Sequence, residues 1–330
     1  ADNDTVLEFR QFIFNEFDKL PWLNNATDLP LIGIGGTARS IGKIHKKFIN
    51  YPLDLLHNYT ITLDEVKTMY HYVLGLDITQ KYKLKGLPKE RADIFTAPFS
   101  ALVMLMNYCN CPSLKISQYG IREGVLYEKL LDPNINNTDI SNFSINNILT
   151  TNDLNISHAE KISDLSCVLF EYLENSDSKN LKLEYKLLRI SSKLHDVGVS
   201  ISVKHAYKHG FYIIINSLIA GLTHKEILMV GYTVALSGKF DYKLADEYKD
   251  LLTKDDIMIC KRLSVILCLA HKIDKYFYNS LTEVIIRNEK DNFKLALPKI
   301  SVKYMKDSLP VEMDESFKKC FSKKLSIVAL

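Results

Sequence analysis

Residues 191–216, SSKLHDVGVSISVKHAYKHGFYIIIN, gather histidines and a carboxylate in a stretch that otherwise reads as buried helix. His195 and Asp196 are adjacent and His205 and His209 follow, so three of the nine histidines and a carboxylate fall within 15 positions. If 186–197 is helical, neighbours project about 100° apart and can grip one ion, while His205 and His209, four apart, share a face. Imidazole plus carboxylate suits a divalent metal poised for phosphate chemistry. The alternative is a set of ordinary histidines that cap helices or line a polar core, because a true site needs ligands from elsewhere in the chain.

A second stretch, LPLIGIGGTARSIGKIHKKF at 29–48, joins an apolar run to a basic helical pattern through Gly33, Gly35, Gly36 and Thr37. That layout predicts a strand, a tight loop and a helix N-terminus. Glycines allow positive φ and close backbone approach, so successive N–H groups can converge on an anion that the helix dipole also favours. Thr37 adds a hydroxyl and Arg39 a charged fork. Neither GxxxxGK[ST] nor GxGxxG is present in register, so by pattern alone the turn serves either packing or phosphate.

These stretches lie in a chain of 330 residues, a length that suggests about two domains. It is 47% hydrophobic and 25% charged, with 42 Lys and Arg against 39 Asp and Glu. A formal charge of +3 points to no nucleic acid and no anionic membrane, so any anion site must be local. Cys109, Cys111, Cys167, Cys260, Cys268 and Cys320 have no CxxC spacing, which argues for reduced thiols in a cytosolic protein. The start, ADNDTVLEFRQFIFNEF, has no secretory layout, and FYIIINSLIAGL and FSALVMLMNYC are too short or too polar to span a bilayer. A soluble protein is expected.

Periodicity supplies the elements that must position both stretches. Apolar spacing predicts a helix over 5–19, and Thr62 with Glu65 forms a capping box opening one over 63–74. A strand at 115–117 and a helix from Arg122 follow, so the first part is α/β. Residues 132–157 hold eight asparagines in 26 positions and read as a boundary. Beyond them, Ser157 and Glu160 predict a capping box, with Ile162, Leu165, Leu169 and Leu173 as an apolar stripe. Helices are expected over 181–197, 206–218, 224–236 (capped by Thr223 and Glu226) and 254–275. His224 and His271 read as structural. LTEVIIRNEKDNFKLALPKI alternates about NEKDN and predicts a β-hairpin, and the close reads as helix then strand.

GIGGTARSIGKIHK, YPLDLLHNYTIT, GLPKERADI and YGIREGVLYE resemble, in order and spacing, the second half of the actin-like module of the exopolyphosphatase/guanosine pentaphosphate phosphohydrolase (Ppx/GppA) family. The helical part is similar to the HD-type domain that follows this module: His158, then LHDVG with His195-Asp196, then HxxxH at His205 and His209, then Asp274 in LAHKIDK. The fold class implied is α/β, a partial actin-like (ribonuclease H-like) subdomain, followed by an all-α HD-like domain with a small α+β tail. The expected division is 1–132 for the module, 133–156 for an Asn-rich linker, 157–278 for the HD-like domain and 279–330 for the tail.

The resemblance implies that Gly33, Gly35, Gly36 and Thr37 bind a substrate phosphate, with Arg39 and Arg122 as cationic helpers, while Lys89, Glu90, Arg91 and Asp93 order the loop. It implies that His158, His195, Asp196 and Asp274 bind a metal, with His205 and His209 as ligands to a second. The family's DxGSNS-type and DIGGGS-type loops are not in this sequence. The expectation is therefore the C-terminal portion of a longer enzyme whose general base lies in a missing N-terminal half, inactive alone. The intact reaction would be attack of water on the terminal phosphorus of inorganic polyphosphate or of pppGpp, with Mg²⁺ as cofactor and Mn²⁺ or another divalent metal at the HD-like site. A cytoplasmic homodimer with no membrane and no specific nucleic acid completes the expectation. Two alternatives stand beside it: an HD-type phosphohydrolase acting through its own metal, and a module that binds polyphosphate or (p)ppGpp without turnover, served by lysines such as Lys204, Lys208 and Lys239.

Overall fold

A computed structural model describes residues 3–130, 140–173, 181–276, 285–310 and 312–330. The chain divides into two units, Ala1–Asn136 and Asn137–Leu330.

Three short strands organise the first unit: β1 (Leu31–Gly33), β2 (Tyr59–Thr62) and β3 (Ser113–Ile116), in the order β1-β3-β2. Central β3 runs parallel to β1 and antiparallel to β2. So small a sheet buries little by itself, and the core comes from the helices around it: α1 (Asn3–Asp18), α2 (Gly36–Phe48), α3 (Leu63–Leu74), α4 (Ile78–Tyr82), α5 (Thr96–Tyr108) and α6 (Ile121–Leu130). Ile41 and Ile44 of α2, Met69 of α3, and Phe99 and Met106 of α5 are fully buried with Ile61 and Leu114 of the sheet. The predicted cap of α3 forms, with Thr62 Oγ1 accepting from the Glu65 N–H and Glu65 Oε2 accepting from the Thr62 N–H at 2.8 Å. Parallel pairing has a positional consequence: β1 and β3 end at the same edge of the sheet, where α2 and α6 begin, and such an edge is where open α/β sheets bind ligands.

The second unit is mostly helical: α7 (Ile140–Thr151), α8 (Ile156–Leu173), α9 (Leu181–Lys193), α10 (Ala206–Ile215), α11 (His224–Gly238), α12 (Asp246–Lys249) and α13 (Lys254–Tyr276). It continues into β4 (Ile285–Asn288), β5 (Asn292–Leu297), α14 (Lys299–Ser308), α15 (Met313–Phe321) and β6 (Lys324–Ala329). Strands β4 and β5 form the predicted hairpin, closed by the Glu289 N–H on the Asn292 carbonyl at 2.8 Å, and β6 adds in parallel to β5.

Four expectations change. The Asn-rich stretch is not a linker over 140–151: α7 buries Ile145 and Leu149, and its Asn142 side chain accepts from the buried Lys193 ammonium at 2.9 Å. Residues 133–139 of that stretch lie outside the described residues. The tail is not a separate body, because β5 turns Phe293, Leu295 and Leu297 inward against Met305 and Phe317 within the unit that holds the helices; its first residues, 279–284, lie outside the description. Helix α8 is capped by Asn155, whose Oδ1 accepts from the His158 N–H at 3.1 Å, while Glu160 pairs with Lys193 Nζ at 2.6 Å. Helix α9 stops at Lys193 rather than 197, and His195 and Asp196 sit in the turn beyond it. That turn is held by a 3₁₀ segment, Val197–Ser200, in which any Cβ on Gly198 would collide with the backbone of Ala206 and Gly210. Among the described residues, no helix is long and apolar enough to cross a membrane.

Candidate functional site

At the shared edge of the first sheet, the three glycines do different things. Gly33 is a buried strand residue whose carbonyl accepts from the Ser117 N–H at 2.9 Å; a Cβ there would stand 2.6 Å from Ala38 Cβ, so its smallness serves strand–helix packing. Gly35 caps α2 at φ +96°, a conformation that L side chains avoid, and the space its side chain would take is open. Gly36 begins α2, and a Cβ on it would collide with the guanidinium of Arg91. No side chain caps α2, so the N–H groups of its first turn, Thr37 among them, remain open to an external acceptor.

Guanidinium groups gather around that opening. Arg39 donates from Nε to the Gly35 carbonyl at 3.2 Å, and Arg91 lies over Gly36. Arg122 is exposed in the first turn of α6. The nearby carboxylate, Glu123, accepts from the Gly120 N–H at 2.6 Å; that hydrogen bond, helped by the charges of Arg122 and Arg39, holds its carboxyl below the usual range. Glu123 thus fills the N-terminus of α6, whereas α2 is left unfilled.

In the second unit three elements converge. Helix α8 brings His158 and Lys161 one turn apart, the turn after α9 brings His195 and Asp196, and α13 brings His271 and Asp274. His195 is buried, and its Nδ1 lies 2.7 Å from the Ser192 carbonyl oxygen, a partner that can only accept. Nδ1 therefore carries a proton, and Nε2 is the ring atom that faces Asp196. That Nε2 stands 3.1 Å from Asp196 Oδ2, an ion-pair distance, without a well-directed hydrogen bond. A proton or a metal ion held between the two atoms would satisfy both. His158 Nε2 approaches the same Asp196 oxygen at 3.7 Å, and among the described residues His158, His195 and Asp196 form the one group whose ligand atoms all lie within 4.8 Å of one another.

The surroundings polarise this group. Burial would raise the Asp196 carboxyl, but close His195, with the charges of His271 and His158, brings it down to about 2. Burial, together with the charge of His195, depresses the His271 imidazole to about 4 against the pull of Asp196, so it is neutral near pH 7. The His271 ring meets the His195 ring edge-on at 5.0 Å.

The family model for Ppx/GppA phosphatase, domain III, matches residues 140–311, and that for the Ppx/GppA phosphatase family matches residues 5–132. The chain belongs to the Ppx/GppA phosphatase family. Curated relatives include guanosine-5'-triphosphate,3'-diphosphate pyrophosphatases of Aeromonas salmonicida, 22% identical over 72% of this chain and 47% of the relative, and of Pseudoalteromonas translucida, 25% identical over 73% and 47%. The chain spans about half the length of the curated relatives it matches. A solved structure of the Aquifex aeolicus Ppx/GppA family member aligns at 20% identity over 40% of this chain and 42% of that one, with a TM-score of 0.34.

Within this Ppx/GppA chain, the structure sorts the residues the sequence singled out. Gly35, Gly36, Thr37 and Arg39 share one opening, Arg122 stands at the neighbouring helix start, and Gly33 belongs to the sheet. His158, His195 and Asp196 come together. Asp274 does not join them as a fourth ligand: its Oδ2 lies 3.4 Å from Nδ1 of His158, on the other side of that ring from Asp196, while its Oδ1 pairs with Lys161 Nζ at 2.6 Å. His205 and His209 lie outside the group. Exposed His205 occupies a left-handed N-cap of α10 at φ +63°, packed edge-on against Tyr207, so it stands outside the regular helical face that the HxxxH spacing presumes.

Sequence reasoning gave two further residues, Arg91 and His271, only structural roles, and left Lys161 unmentioned. Arg91 had a signal, because KER follows the glycine loop within one of the four resembling motifs. His271 also had one, since it precedes Asp274 by three positions on one helix face. Lys161, three positions after His158, carried no signal in the sequence.

Proposed function

We propose that this chain carries the phosphate-binding half of a phosphatase that releases terminal phosphate from inorganic polyphosphate or pppGpp, and that it is inactive alone. The observation that carries this is the uncapped start of α2. Gly35 at φ +96° faces open space there, the N–H groups of the first turn are free, and Arg39 and Arg91 flank them. Family membership and the activity for which the curated relatives are named support the substrate class. The first unit is then the C-terminal part of an actin-like module, and the second an HD-like domain.

In that role the N–H groups of Gly36 and Thr37 take phosphoryl oxygens, and Arg91 offsets the charge that grows on them as the phosphorus–oxygen bond opens. The attacking water would be oriented by a base from the missing N-terminal half. Glu123 is a poor substitute, because its carboxylate is held by the Gly120 N–H and two nearby arginines.

Ppx/GppA phosphatases are generally divalent-metal dependent. Mg²⁺ prefers oxygen donors in a regular octahedron, and the Glu123 carboxylate near Arg39 already serves as a cap, so it does not offer that ion a free donor. His158, His195 and Asp196 suit a softer ion such as Mn²⁺, Co²⁺ or Zn²⁺, and the orphaned, buried Nε2 of His195 is what such an ion would relieve. A bound ion there would supply Lewis acidity and a polarised water. The protein's part is already set: Ser192 fixes the His195 tautomer, and Asp274 orients the His158 ring from its far side. This favours a second reading, an HD-type phosphohydrolase.

Phosphate release by this chain alone, with Mg²⁺ or Mn²⁺, from polyphosphate, pppGpp and a simple phosphomonoester separates the two. No release is expected. Release abolished by His195→Ala or Asp196→Ala would move the active site to the helical unit and reduce the glycine loop to scaffold. Binding of polyphosphate without turnover, even with the missing half restored, would mark a binding module.

A further inference from the structure

The far end of α2 borders a second opening in the first unit, about 20 Å along the helix from Gly35 by its 13 residues. There Ile44, Lys47 and Phe48, three and four positions apart, share one face of the last turns, and Tyr72 of α3 stands beside them. Gln80 of α4 and the turn that follows, with Lys83, Leu84 and Lys85, make another wall. Gly86 sets that wall in place: at φ +98°, a Cβ on it would stand 2.8 Å from the Ile44 nitrogen, so glycine lets the turn lie on the α2 backbone. The cavity between these walls is about 400 Å³, within the range of small-molecule pockets. Its Ile44 side is buried, whereas Phe48 and Tyr72 are 52% and 44% exposed, with ring centroids 5.5 Å apart and planes at 48°. Three lysines line it and no carboxylate does.

We propose that this cavity binds a mononucleotide, with the base on the rings of Phe48 and Tyr72 and the phosphates on Lys47, Lys83 and Lys85. Each part of the site selects one part of the ligand. Two half-exposed rings beside buried aliphatic side chains give a planar base a stacking surface, and every base has a face that suits it. The lysines are exposed, and the carboxylate near Lys83, that of Asp77, is engaged as the N-cap of α4, its Oδ1 accepting from the Gln80 N–H at 2.8 Å. Against an anion stands the C-terminus of α2, equivalent to about half a negative charge, which three ammonium groups outweigh. Gln80 supplies an edge contact: its Oε1 accepts from the Asp77 N–H at 2.8 Å, which leaves its amide NH₂ to donate to a base nitrogen or carbonyl. A fatty acid could also set its carboxylate on the lysines, but it would use neither the ring faces nor that donor. The separation along α2 makes this a second ligand site, able to fill while the Gly35 loop holds phosphate.

The test is calorimetric titration of the whole chain with ADP and GDP, beside adenosine and pyrophosphate, which each carry one part of the ligand. ADP or GDP should bind with a dissociation constant below about 1 mM, weakening as salt rises because the phosphate contacts are exposed. Adenosine and pyrophosphate should each bind at this site at least about tenfold more weakly. Phe48→Ala, Tyr72→Ala and the pair Lys83→Gln with Lys85→Gln should each weaken nucleotide binding about tenfold, with tripolyphosphate affinity at the glycine loop unchanged. Phe48→Leu, which keeps an apolar side chain without a ring, gives the same comparison if Phe48→Ala melts early. No binding of either nucleotide up to about 1 mM overturns the proposal, as does binding that survives loss of both rings. Nucleotide binding that disappears in Arg91→Ala would belong to the glycine loop and also overturns it. Binding of decanoate without binding of ADP or GDP would make the cavity a fatty-acid site and overturns the nucleotide assignment.

Discussion

Around Gly35 the groups offered to a ligand are main-chain N–H groups at the start of α2, whereas around His195 they are imidazoles and carboxylates carried by α8, α13 and the turn after α9. The first arrangement depends on what is absent: no side chain caps the helix, and no Cβ at Gly35 or Gly36 stands in the way. The second depends on what is held in place, with Ser192 fixing one ring and Asp274 facing the other. A backbone site tolerates little change in residue type at its glycines but asks little of distant packing. A side-chain site assembled from three elements is only as precise as the packing that brings them together.

The largest effects should come from attacking each site with a change the other ignores. His195→Ala or Asp196→Ala should lower the transition metal retained by protein purified without chelator from about one equivalent to below about a tenth, with tripolyphosphate affinity unchanged. Gly35→Val or Arg91→Ala should weaken tripolyphosphate binding by about tenfold or more, with metal content unchanged. Calorimetry and metal analysis on the same preparations check both. Metal loss in the loop variants, or phosphate loss in the histidine variant, would show that the two sites act as one.

A smaller effect tests the dependence on packing. Buried Glu184 of α9 is held by Arg262 of α13 at 2.5 Å, joining two of the elements that carry the imidazole cluster. Arg262→Met leaves that carboxylate uncompensated and should cost the second unit about 3 kcal/mol. Hydrogen exchange at α9 and α13 should report it, while the fluorescence of Trp22, the one tryptophan and a residue of the first unit, should unfold as before. Pairing Arg262→Met with Glu184→Leu should restore most of the loss; if it does not, Arg262 is acting through packing rather than charge.

What the sequence made legible follows the same divide. Local signals worked wherever the deciding contacts are local: the capping boxes at Thr62 and Thr223, the hairpin around NEKDN and the strand–loop–helix at Gly35 are all set within a few residues. Where long-range contacts decide, pattern misled. The asparagines of α7 read as a linker because the acceptor role of Asn142 exists only once Lys193, some fifty positions on, is buried beneath it. Ser157 and Glu160 read as a box because spacing cannot show that Glu160 is claimed by the same lysine. The pairing of His158 with His195-Asp196 came from resemblance and order, not periodicity. The position of His205 could not be foreseen, since a left-handed N-cap turns its side chain away from where a helical HxxxH would put it.

The smallest expected effect is on pH dependence, where the units should respond at opposite ends of the scale. In the second unit the burial of His271 favours its neutral form and lowers its pKa from 6.5 to about 4. Between those values the unfolded chain binds more protons, so its contribution to stability is complete above 6.5 and disappears as pH falls towards 4. Allowing for solvent screening, this amounts to about 2 kcal/mol. Asp196, lowered to about 2, adds a loss only below its ordinary value of 3.8. In the first unit, burial lowers Lys46 from 10.5 to about 8, with its ammonium on the Leu55 carbonyl at 2.8 Å and over the rings of Tyr51 and Tyr59. Its contribution therefore grows as pH rises from 8 towards 10.5, until the Tyr51 hydroxyl, raised by burial to about 12, begins to work the other way above pH 10. Chelator-treated protein should thus lose protection at α8 and α13 between pH 6.5 and 4 while Trp22 reports little change, and His271→Asn should flatten that loss. From pH 8 to 10 the Trp22 transition should instead gain about 1 kcal/mol, a gain absent in Lys46→Met. If both units followed one pH profile, their stabilities would be coupled, and the separation drawn between a backbone site and a side-chain site would have to give way to a single cooperative fold.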